Sequence, residues 1–291
     1  MSLPLRPIGS HVPVSGGLVK GAFRVASGIG ASALQVFVGN PRGWALAHGD
    51  PAQDHAFRDQ CAEAGFPAYV HTPYLVNLGS PTATTVRRSL DSIAHNLARG
   101  HRIGARGVVV HTGSCVAQGG FDQAMRQVRE GLLPLLDKLP DDGPTLLLEP
   151  TAGQGQSLCA GVDQLPAYLD ALERHPRLGI CLDTCHVFAA GAPLDRRRGM
   201  TRTLDTLVET IAPVRLELVH ANDSKDPCGS FRDRHERIGQ GHIGKAAFGE
   251  LLRHPAVQGV PLIVETPGGK DAWAEDIALL RRLAARKRRS R

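Results

Sequence analysis

Metal-binding side chains end or follow several short apolar runs in this chain. In the second half they are Glu149, Asp183, His186, His220, Asp233, His235 and Glu265, and His71 and His111 occupy the same kind of position earlier. Imidazole and carboxylate ligands together suit zinc or manganese better than calcium or magnesium. Burying such groups in one cleft without a cation would cost several kcal/mol for each uncompensated charge. The pattern therefore indicates a metal site.

The number of candidate ligands points to more than one ion. Nine protein ligands exceed the four that one zinc ion usually takes. Asp233 and His235 are two positions apart, so in an extended segment both side chains point to one side. Asp183 and His186 bracket a turn and can serve two different metals. Two or three clustered metals are typical of phosphate-ester hydrolysis, which predicts cleavage of a phosphodiester.

The elements that must position these residues follow the pattern of repeated βα units. Predicted strands are Ile8–Val12, Ala33–Val38, Ala68–His71, Gly107–His111, Thr145–Glu149, Gly179–Asp183, Leu216–His220 and Leu262–Glu265, with helices at about 16–28, 51–64, 82–101, 121–138, 161–174, 201–211, 245–253 and 271–286. Six of these strands end on a candidate ligand. Active sites of (β/α)8 barrels lie at the rim formed by the C-terminal ends of the strands. A doubly wound sheet would concentrate its site at one switch point. We therefore predict an α/β fold, a single-domain (β/α)8 TIM barrel.

Composition narrows the class of protein. A chain of 291 residues with 42% hydrophobic content can bury a large core, which favours one domain and a monomer. It has no 18-residue apolar run and no signal-peptide pattern, so we expect a soluble cytoplasmic protein that does not contact a membrane. The six cysteines form no CxxC pair, and we interpret Cys181 and Cys185 as reduced packing residues beside ligands rather than ligands.

The positive charge is concentrated at the C-terminus. The net charge is +6, and residues 281–291 carry seven Lys or Arg, so the remainder is close to neutral at −1. We predict a barrel domain over 1–280 and a basic tail over 281–291, formed by the end of the last helix and disordered residues. Such a tail can hold phosphates without sequence preference, or it can be a solvated terminus.

Nine motifs in order resemble the endonuclease IV family of apurinic/apyrimidinic (AP) endonucleases, which is AP endonuclease family 2 on a xylose-isomerase-like TIM barrel. They are IGSHVPVSGGL (8–18), NPRGW (40–44), HTPYLVNLGSP (71–81), VVVHTGS (108–114), LLLEPTAGQGQSL (146–158), GICLDTCHVFAAG (179–191), HANDSK (220–225), GSFRDRHERIGQGHIG (229–244) and PLIVETP (261–267). The resemblance covers Ile8 to about Thr266.

This resemblance implies a DNA-repair enzyme with three zinc ions per chain, with manganese as an alternative at one or more sites. It implies cleavage 5′ to abasic sites in double-stranded DNA, leaving a 3′ hydroxyl and a 5′ deoxyribose phosphate, together with trimming of blocked 3′ ends. The implied localisation is cytoplasmic, with the nucleoid. Glu149 would be catalytic and would bridge two zinc ions. The first of these ions would also be held by His71 and His111, and the second by Asp183, His220 and Glu265. The third zinc would be held by His186, Asp233 and His235.

The same resemblance implies DNA contacts. Arg42, Tyr74 and Leu75 match positions that push into the DNA at the lesion, where the gap left by a missing base accepts a planar or apolar wedge. Lys225, Arg232, Arg234 and Arg237 are candidate phosphate contacts. Three positions depart from the commonest family pattern, namely Thr112, Cys115 and Pro150.

Two other functions are compatible with parts of the pattern. Glu149, Asp183, His220 and Glu265 alone would form the single-metal site of a sugar isomerase or epimerase on the same barrel. A barrel that binds damaged DNA without cutting it is the other alternative, although a degenerate site should have lost at least one ligand. The five additional ligand-type residues favour the nuclease.

Overall fold

The strands of the protein close into one parallel barrel. A computed structural model describes residues 6–116 and 120–285. In that part of the chain the strands are β1 Ile8–His11, β2 Leu34–Val36, β3 Ala68–His71, β4 Gly107–His111, β5 Thr145–Glu149, β6 Leu178–Asp183, β7 Arg215–His220, β8 Asp223–Ser224, β9 His235–Glu236 and β10 Leu262–Val264. The barrel order is β1-β10-β7-β6-β5-β4-β3-β2, which confirms the predicted fold.

Strand boundaries differ from the prediction mainly at the rim. β1 and β2 end one and two residues early, and Glu265 follows β10 instead of ending it. The amide of Glu265 donates to Oδ1 of Asn222 at 2.8 Å instead of continuing the ladder. His71, His111, Glu149, Asp183 and His220 do end their strands, so the register brings them to one end of the barrel.

The helices pack outside the strands. They are α1 Arg24–Gly28, α2 Pro51–Ala64, α3 Ala83–Arg102, α4 Phe121–Leu136, α5 Leu165–Ala171, α6 Thr184–Ala189, α7 Gly199–Ile211, α8 Gly244–Arg253 and α9 Gly269–Ala285. The first predicted helix is a π-helix, Leu18–Phe23, that continues into α1. The predicted helix at 161–174 is a 3-10 turn followed by α5, which ends early because Glu173 and Arg174 have positive φ. Residues 281–285 of the predicted basic tail belong to α9, and 286–291 lie outside the described residues.

Two short elements at the rim were not predicted. Asp183 and His186 do not bracket a simple turn, because α6 begins directly after β6. Oδ1 of Asp183 caps this helix by accepting from the amides of Cys185 at 2.6 Å and His186 at 3.0 Å. β8 and β9 form an antiparallel hairpin that holds His235 over the barrel.

The core has two parts. Inside the barrel, small and large side chains on or directly before seven neighbouring strands form one buried layer: Ala33, Tyr69, Val109, Leu147, Cys181, Leu218 and Ile263. The larger cluster lies between the strands and the surrounding helices. The interior is therefore filled, and chemistry is restricted to the rim. Among the described helices, none combines the length and apolar character needed to cross a membrane.

Candidate metal centre

The carboxylate of Glu149 joins two groups of histidines. Its side chain is fully buried at the end of β5. Oε2 lies 3.1 Å from Nε2 of His71 and 3.4 Å from Nε2 of His111. Oε1 lies 2.9 Å from Nδ1 of His220 and 3.3 Å from Nδ1 of His186. Oε2 therefore faces the imidazoles of His71 and His111 and Oε1 faces that of His220, as a bridging ligand must, while Nδ1 of His186 beside Oε1 also faces the Pro150 carbonyl.

A second group of ligand atoms surrounds His220. Its Nδ1 lies 3.4 Å from Oε2 of Glu265 and 3.8 Å from Oδ2 of Asp183. The ligand atoms of Asp183, His220 and Glu265 all lie within 4.8 Å of one another. Because Oδ1 of Asp183 caps α6, its Oδ2 is the oxygen that faces the cluster.

A third group lies between α6 and the hairpin. Oδ1 of Asp233 is 3.2 Å from Nε2 of His186 and 3.1 Å from Nε2 of His235. Nε2 of His235 also lies 3.5 Å from Oδ2 of Asp183. The i, i+2 pair therefore does point to one side, as the spacing predicted.

The tautomers of four histidines are set by oxygen atoms outside the cluster. A carbonyl only accepts, so the ring nitrogen that faces it carries the proton. Nδ1 of His71 faces the Thr72 carbonyl at 2.7 Å, that of His186 faces the Pro150 carbonyl at 3.1 Å, and that of His235 faces the Glu265 carbonyl at 3.3 Å. Nε2 of His220 faces Oε1 of Gln35 at 2.9 Å. Each ring thus keeps its other nitrogen for the cluster, which is how metal-binding histidines are held.

This donor set fits zinc. Two ligand atoms at zinc–ligand distance in a tetrahedral site are about 3.3 Å apart, close to the separations around both Glu149 oxygens. Nε2 of His235 is buried and makes no hydrogen bond, although carboxylate oxygens surround it. A buried nitrogen left in this way is costly unless a cation completes it.

Without a cation, the cluster balances its charge with protons. Burial favours the neutral form of Glu149, but the His220 and His111 imidazoles outweigh it and hold the pKa of this carboxyl well below its usual value. Burial would lower the pKa of His235, yet Asp183 and Asp233 raise it to about 9. The pKa of His186 is also raised well above its usual value, against burial, by the same two aspartates. Metal binding must displace these protons.

Polar residues that we did not predict hold the ligands in place. Nε2 of Gln35 donates to Oε1 of Glu265 at 2.8 Å, and Nδ2 of Asn222 donates to Oδ2 of Asp183 at 2.7 Å. Nδ1 of His11 also lies 3.3 Å from Oε1 of Glu265. Asn222 lies in the HANDSK motif and Gln35 is a buried amide in an apolar strand, which is a signal that can be read from sequence.

Tyr74, one of the first three predicted DNA contacts, lies beside the cluster. A cavity of about 320 Å³ opens above it, lined by His71, Tyr74, His111, His186, Asp233, His235, Glu265 and Pro267. Tyr74 is 57% exposed and its ring centroid lies 6.0 Å from that of His71. Leu75 and Arg42 are exposed nearby, and the Tyr74 amide donates to the Pro41 carbonyl at 3.0 Å. Of these three side chains, Tyr74 lines the cavity, while Leu75 and Arg42 are exposed on the two segments that this hydrogen bond joins.

The other predicted contacts differ in how free their charges are. Lys225 and Arg232 are exposed, and the one ion-pair contact of Arg232 is long, at 3.9 Å between its Nη1 and Oδ1 of Asp226. The guanidinium of Arg234 makes two 2.6 Å contacts to Asp226, which neutralise most of its charge. Arg237 pairs with Glu275 and Asp276 on α9. Direct phosphate contact is therefore best supported for Lys225 and Arg232.

The cysteines and the three unusual positions have structural partners. Cys181 lies in the interior layer of the barrel, where burial raises the pKa of its thiol to about 12 and opposes the thiolate that binds metal. Thr112 donates to the Cys159 carbonyl at 2.8 Å, and the Cys115 amide donates to the Gln156 carbonyl at 2.9 Å. The Pro150 carbonyl orients His186, so the imino acid at this position still supports a ligand.

Comparisons with known proteins agree with this architecture. The family described as xylose isomerase-like TIM barrel matches residues 23–283. A "Probable endonuclease 4" of Streptomyces coelicolor is 57% identical, over 97% of this chain and 96% of its own length. The crystal structure of endonuclease IV from Thermus thermophilus superimposes with a TM-score of 0.82 at 32% identity, covering 95% of this chain and 98% of that one. A D-tagatose 3-epimerase-like protein, at 17% identity and a TM-score of 0.70, shares the fold alone. The chain therefore belongs to the endonuclease IV family, on the xylose isomerase-like TIM barrel.

Proposed function

We propose that this protein is a DNA-repair AP endonuclease that hydrolyses the phosphodiester 5′ to an abasic site, leaving a 3′ hydroxyl and a 5′ deoxyribose phosphate. Trimming of blocked 3′ ends by the same site is part of the proposal. The observation that carries it is the position of Glu149, whose two oxygens face separate sets of imidazoles. Family membership supports the same activity.

We assign three zinc ions to the three groups of ligand atoms. His71, His111 and Glu149 would hold the first, and Glu149 with Asp183, His220 and Glu265 would hold the second. His186, Asp233 and His235 would hold the third, with Oδ2 of Asp183 3.5 Å from Nε2 of His235. When bound, zinc supplies Lewis acidity toward water and the phosphate, and manganese can supply the same at one or more sites. Cys185 also lies within reach of Asp233 and His235, but burial raises the pKa of its thiol and so opposes the thiolate that binds metal.

The protein side chains position the substrate. Tyr74 and Leu75 enter the gap left by the missing base, and Arg42 supports the displaced DNA from the adjoining loop. Lys225 and Arg232 bind backbone phosphates and set the register of the duplex. Burial first, and then the nearby acidic groups, raise the pKa of Tyr74 to about 12, so its hydroxyl remains a hydrogen-bond donor at neutral pH.

The sugar isomerase alternative explains less of the site. It uses only Glu149, Asp183, His220 and Glu265. It leaves no role for His71 and His111 or for the group around Asp233. The epimerase-like structure shares the fold at an identity too low to transfer activity.

The test is incision of a labelled duplex that contains one abasic-site analogue. We expect a single cut 5′ to the lesion that disappears after prolonged chelation and returns with zinc. Elemental analysis should give three metals per chain. One metal per chain with sugar turnover would establish the isomerase, and binding of the abasic duplex without cutting by fully metallated protein would establish a damage-binding barrel.

Glu149→Gln tests the bridging carboxylate. The amide keeps the shape of the side chain but loses the negative charge that faces both imidazole sets, so we expect cleavage to fall by several orders of magnitude with the fold intact. Glu217→Gln on β7 is the matched control. Glu217 lies outside the cluster, so this variant should cut the duplex at the normal rate. Near-normal turnover of Glu149→Gln would remove Glu149 from the mechanism.

A further inference from the structure

The loop between β2 and α2, residues 37–50, has no regular helix or strand although it carries Arg42 at the barrel mouth. Residues 45–50 are all exposed. The carbonyl of Pro41 in this loop accepts from the Tyr74 amide at 3.0 Å, so the loop also supports the segment that carries Tyr74 and Leu75. The position of this loop therefore sets the position of three predicted DNA contacts.

Side chains of α3 tie both ends of the loop together. Nη1 of Arg99 donates to the Val38 carbonyl at 2.7 Å and to the Ala47 carbonyl at 2.9 Å. Nε2 of His95 also reaches the Ala47 carbonyl, at 3.0 Å, and Arg102 donates to the carbonyl of His48. One guanidinium thus joins the start of the loop to its end.

A buried carboxylate holds these arginines. Asp54 on α2 is fully buried, and Arg99 is only 8% exposed. Oδ1 of Asp54 accepts from Nη2 of Arg99 at 3.2 Å, and Oδ2 accepts from Nε and Nη2 of Arg102 at 3.1 and 2.7 Å. Moving the Arg99 guanidinium away would leave the buried charge of Asp54 without part of its compensation, which is strongly destabilising. The ion pair therefore holds the guanidinium in place.

The backbone leaves room for that guanidinium. Gly49 has a φ of +72°, and a Cβ added there would lie 2.2 Å from Nη2 of Arg99. A side chain at this position would therefore displace the Arg99 head group, in addition to straining the backbone. The loop passes closely over Arg99 only because residue 49 is glycine.

We propose that Arg99, held by Asp54, is a positioning residue for DNA binding that acts through Arg42. This role for Arg99 rests on the proposed function, because it requires that Arg42 contacts the DNA substrate. The guanidinium is buried beneath the β2–α2 loop, where it joins the Val38 and Ala47 carbonyls, and it is not a cluster ligand. It sets where Arg42 and Tyr74 meet the duplex and leaves the metal chemistry unchanged.

The experiment is steady-state incision of the abasic duplex by holoenzyme carrying Arg99→Lys, which keeps the charge but not the two-carbonyl bridge. We expect KM to rise about tenfold with kcat within about twofold of the parent, because misplacement weakens binding of the substrate before the reacting atoms are reached. The effect must be non-additive with Arg42→Ala: in that background Arg99→Lys should change KM little. Full additivity, or loss of kcat alone, would overturn the proposal.

Arg177→Lys is the matched control, because Arg177 binds the carbonyls of Asp141 and Gly143 at 2.9 and 2.6 Å before β5, at the other end of the barrel. Its KM should stay at the parent value. If Arg99→Lys does not retain zinc and native circular dichroism, Gly49→Ala tests the same contact without removing the arginine, and an unchanged KM in that variant would overturn the proposal. If the parent enzyme does not cut at all, the proposed function fails first, which separates the two outcomes.

Discussion

At the scale of single residues, the amides beside the cluster decide how the ligands are presented. Oε1 of Gln35 lies 2.9 Å from Nε2 of His220, and its Nε2 donates to Glu265 at 2.8 Å. One side chain therefore sets both the tautomer of an imidazole and the direction of a carboxylate. Mutation of such hydrogen-bonding partners commonly lowers the affinity of a site for its metal.

We therefore predict that Gln35→Leu lowers zinc affinity and incision by about 10- to 100-fold. Leucine fills the space but offers no acceptor to His220 and no donor to Glu265. Zinc retained after dialysis against a graded chelator is the measurement. Gln127→Leu is the control, because Gln127 binds the Leu78 and Ser80 carbonyls away from the cluster. Equal zinc retention in the two variants would contradict the prediction.

At the scale of elements, the barrel depends on close approach between β1 and β2. A Cβ added at Gly9 would lie 1.7 Å from the Ala33 carbonyl oxygen. Backbone cannot give way there as a flexible side chain could, so only glycine fits. β1 also carries His11, whose Nδ1 contacts Oε1 of Glu265. A shift of β1 would therefore also shift a residue that positions a ligand of the metal centre.

Gly9→Ala should lower the free energy of unfolding by about 3 kcal/mol or more, as forced overpacking of a core does. Denaturant unfolding of the zinc-loaded protein measures this. Gly28→Ala at the end of α1 is the control, since nothing lies within 4 Å of its added Cβ, and it should be neutral or slightly stabilising. A Gly9→Ala protein as stable as the control would show that β1 and β2 can move apart.

At the scale of the whole molecule, the cluster links stability to pH and to metal. The pKa of His235 is raised to about 9 in the folded protein, mainly by Asp183 and Asp233 acting against burial. An unfolded histidine titrates near 6.5, so this pairing contributes its full stability below about pH 6.5. That contribution is lost as the pH rises to about 9. Zinc reverses the preference, because it binds the deprotonated ring.

We expect the melting temperature of protein freed of metal by chelation to decrease as the pH rises from 6.5 to 9. The melting temperature of zinc-loaded protein should stay constant over the same pH range. Thermal unfolding followed by circular dichroism in both states is the measurement. Parallel pH profiles for the two forms would show that these histidines do not exchange protons for metal.

The basic terminus gives a second prediction at this scale. Residues 286–291 carry five Lys or Arg, whereas Leu280 and Leu283 of α9 are buried, so a clean deletion begins at 286. Removing 286–291 should weaken DNA affinity and flatten its salt dependence without changing kcat, because phosphate contacts release counterions. An unchanged salt slope would leave this terminus as a solvated end.

The sequence by itself determined which residue types stand at the ends of which strands, because apolar periodicity and ligand spacing are local properties of the chain. Six strand ends with ligands implied a closed ring, and the barrel confirms this. Only the tertiary structure decided which atoms meet. Gln35 reaches His220 across 185 positions, Arg234 is occupied by Asp226, and Arg99 joins Val38 to Ala47. Such pairings depend on barrel closure and side-chain direction, which no spacing along the chain specifies.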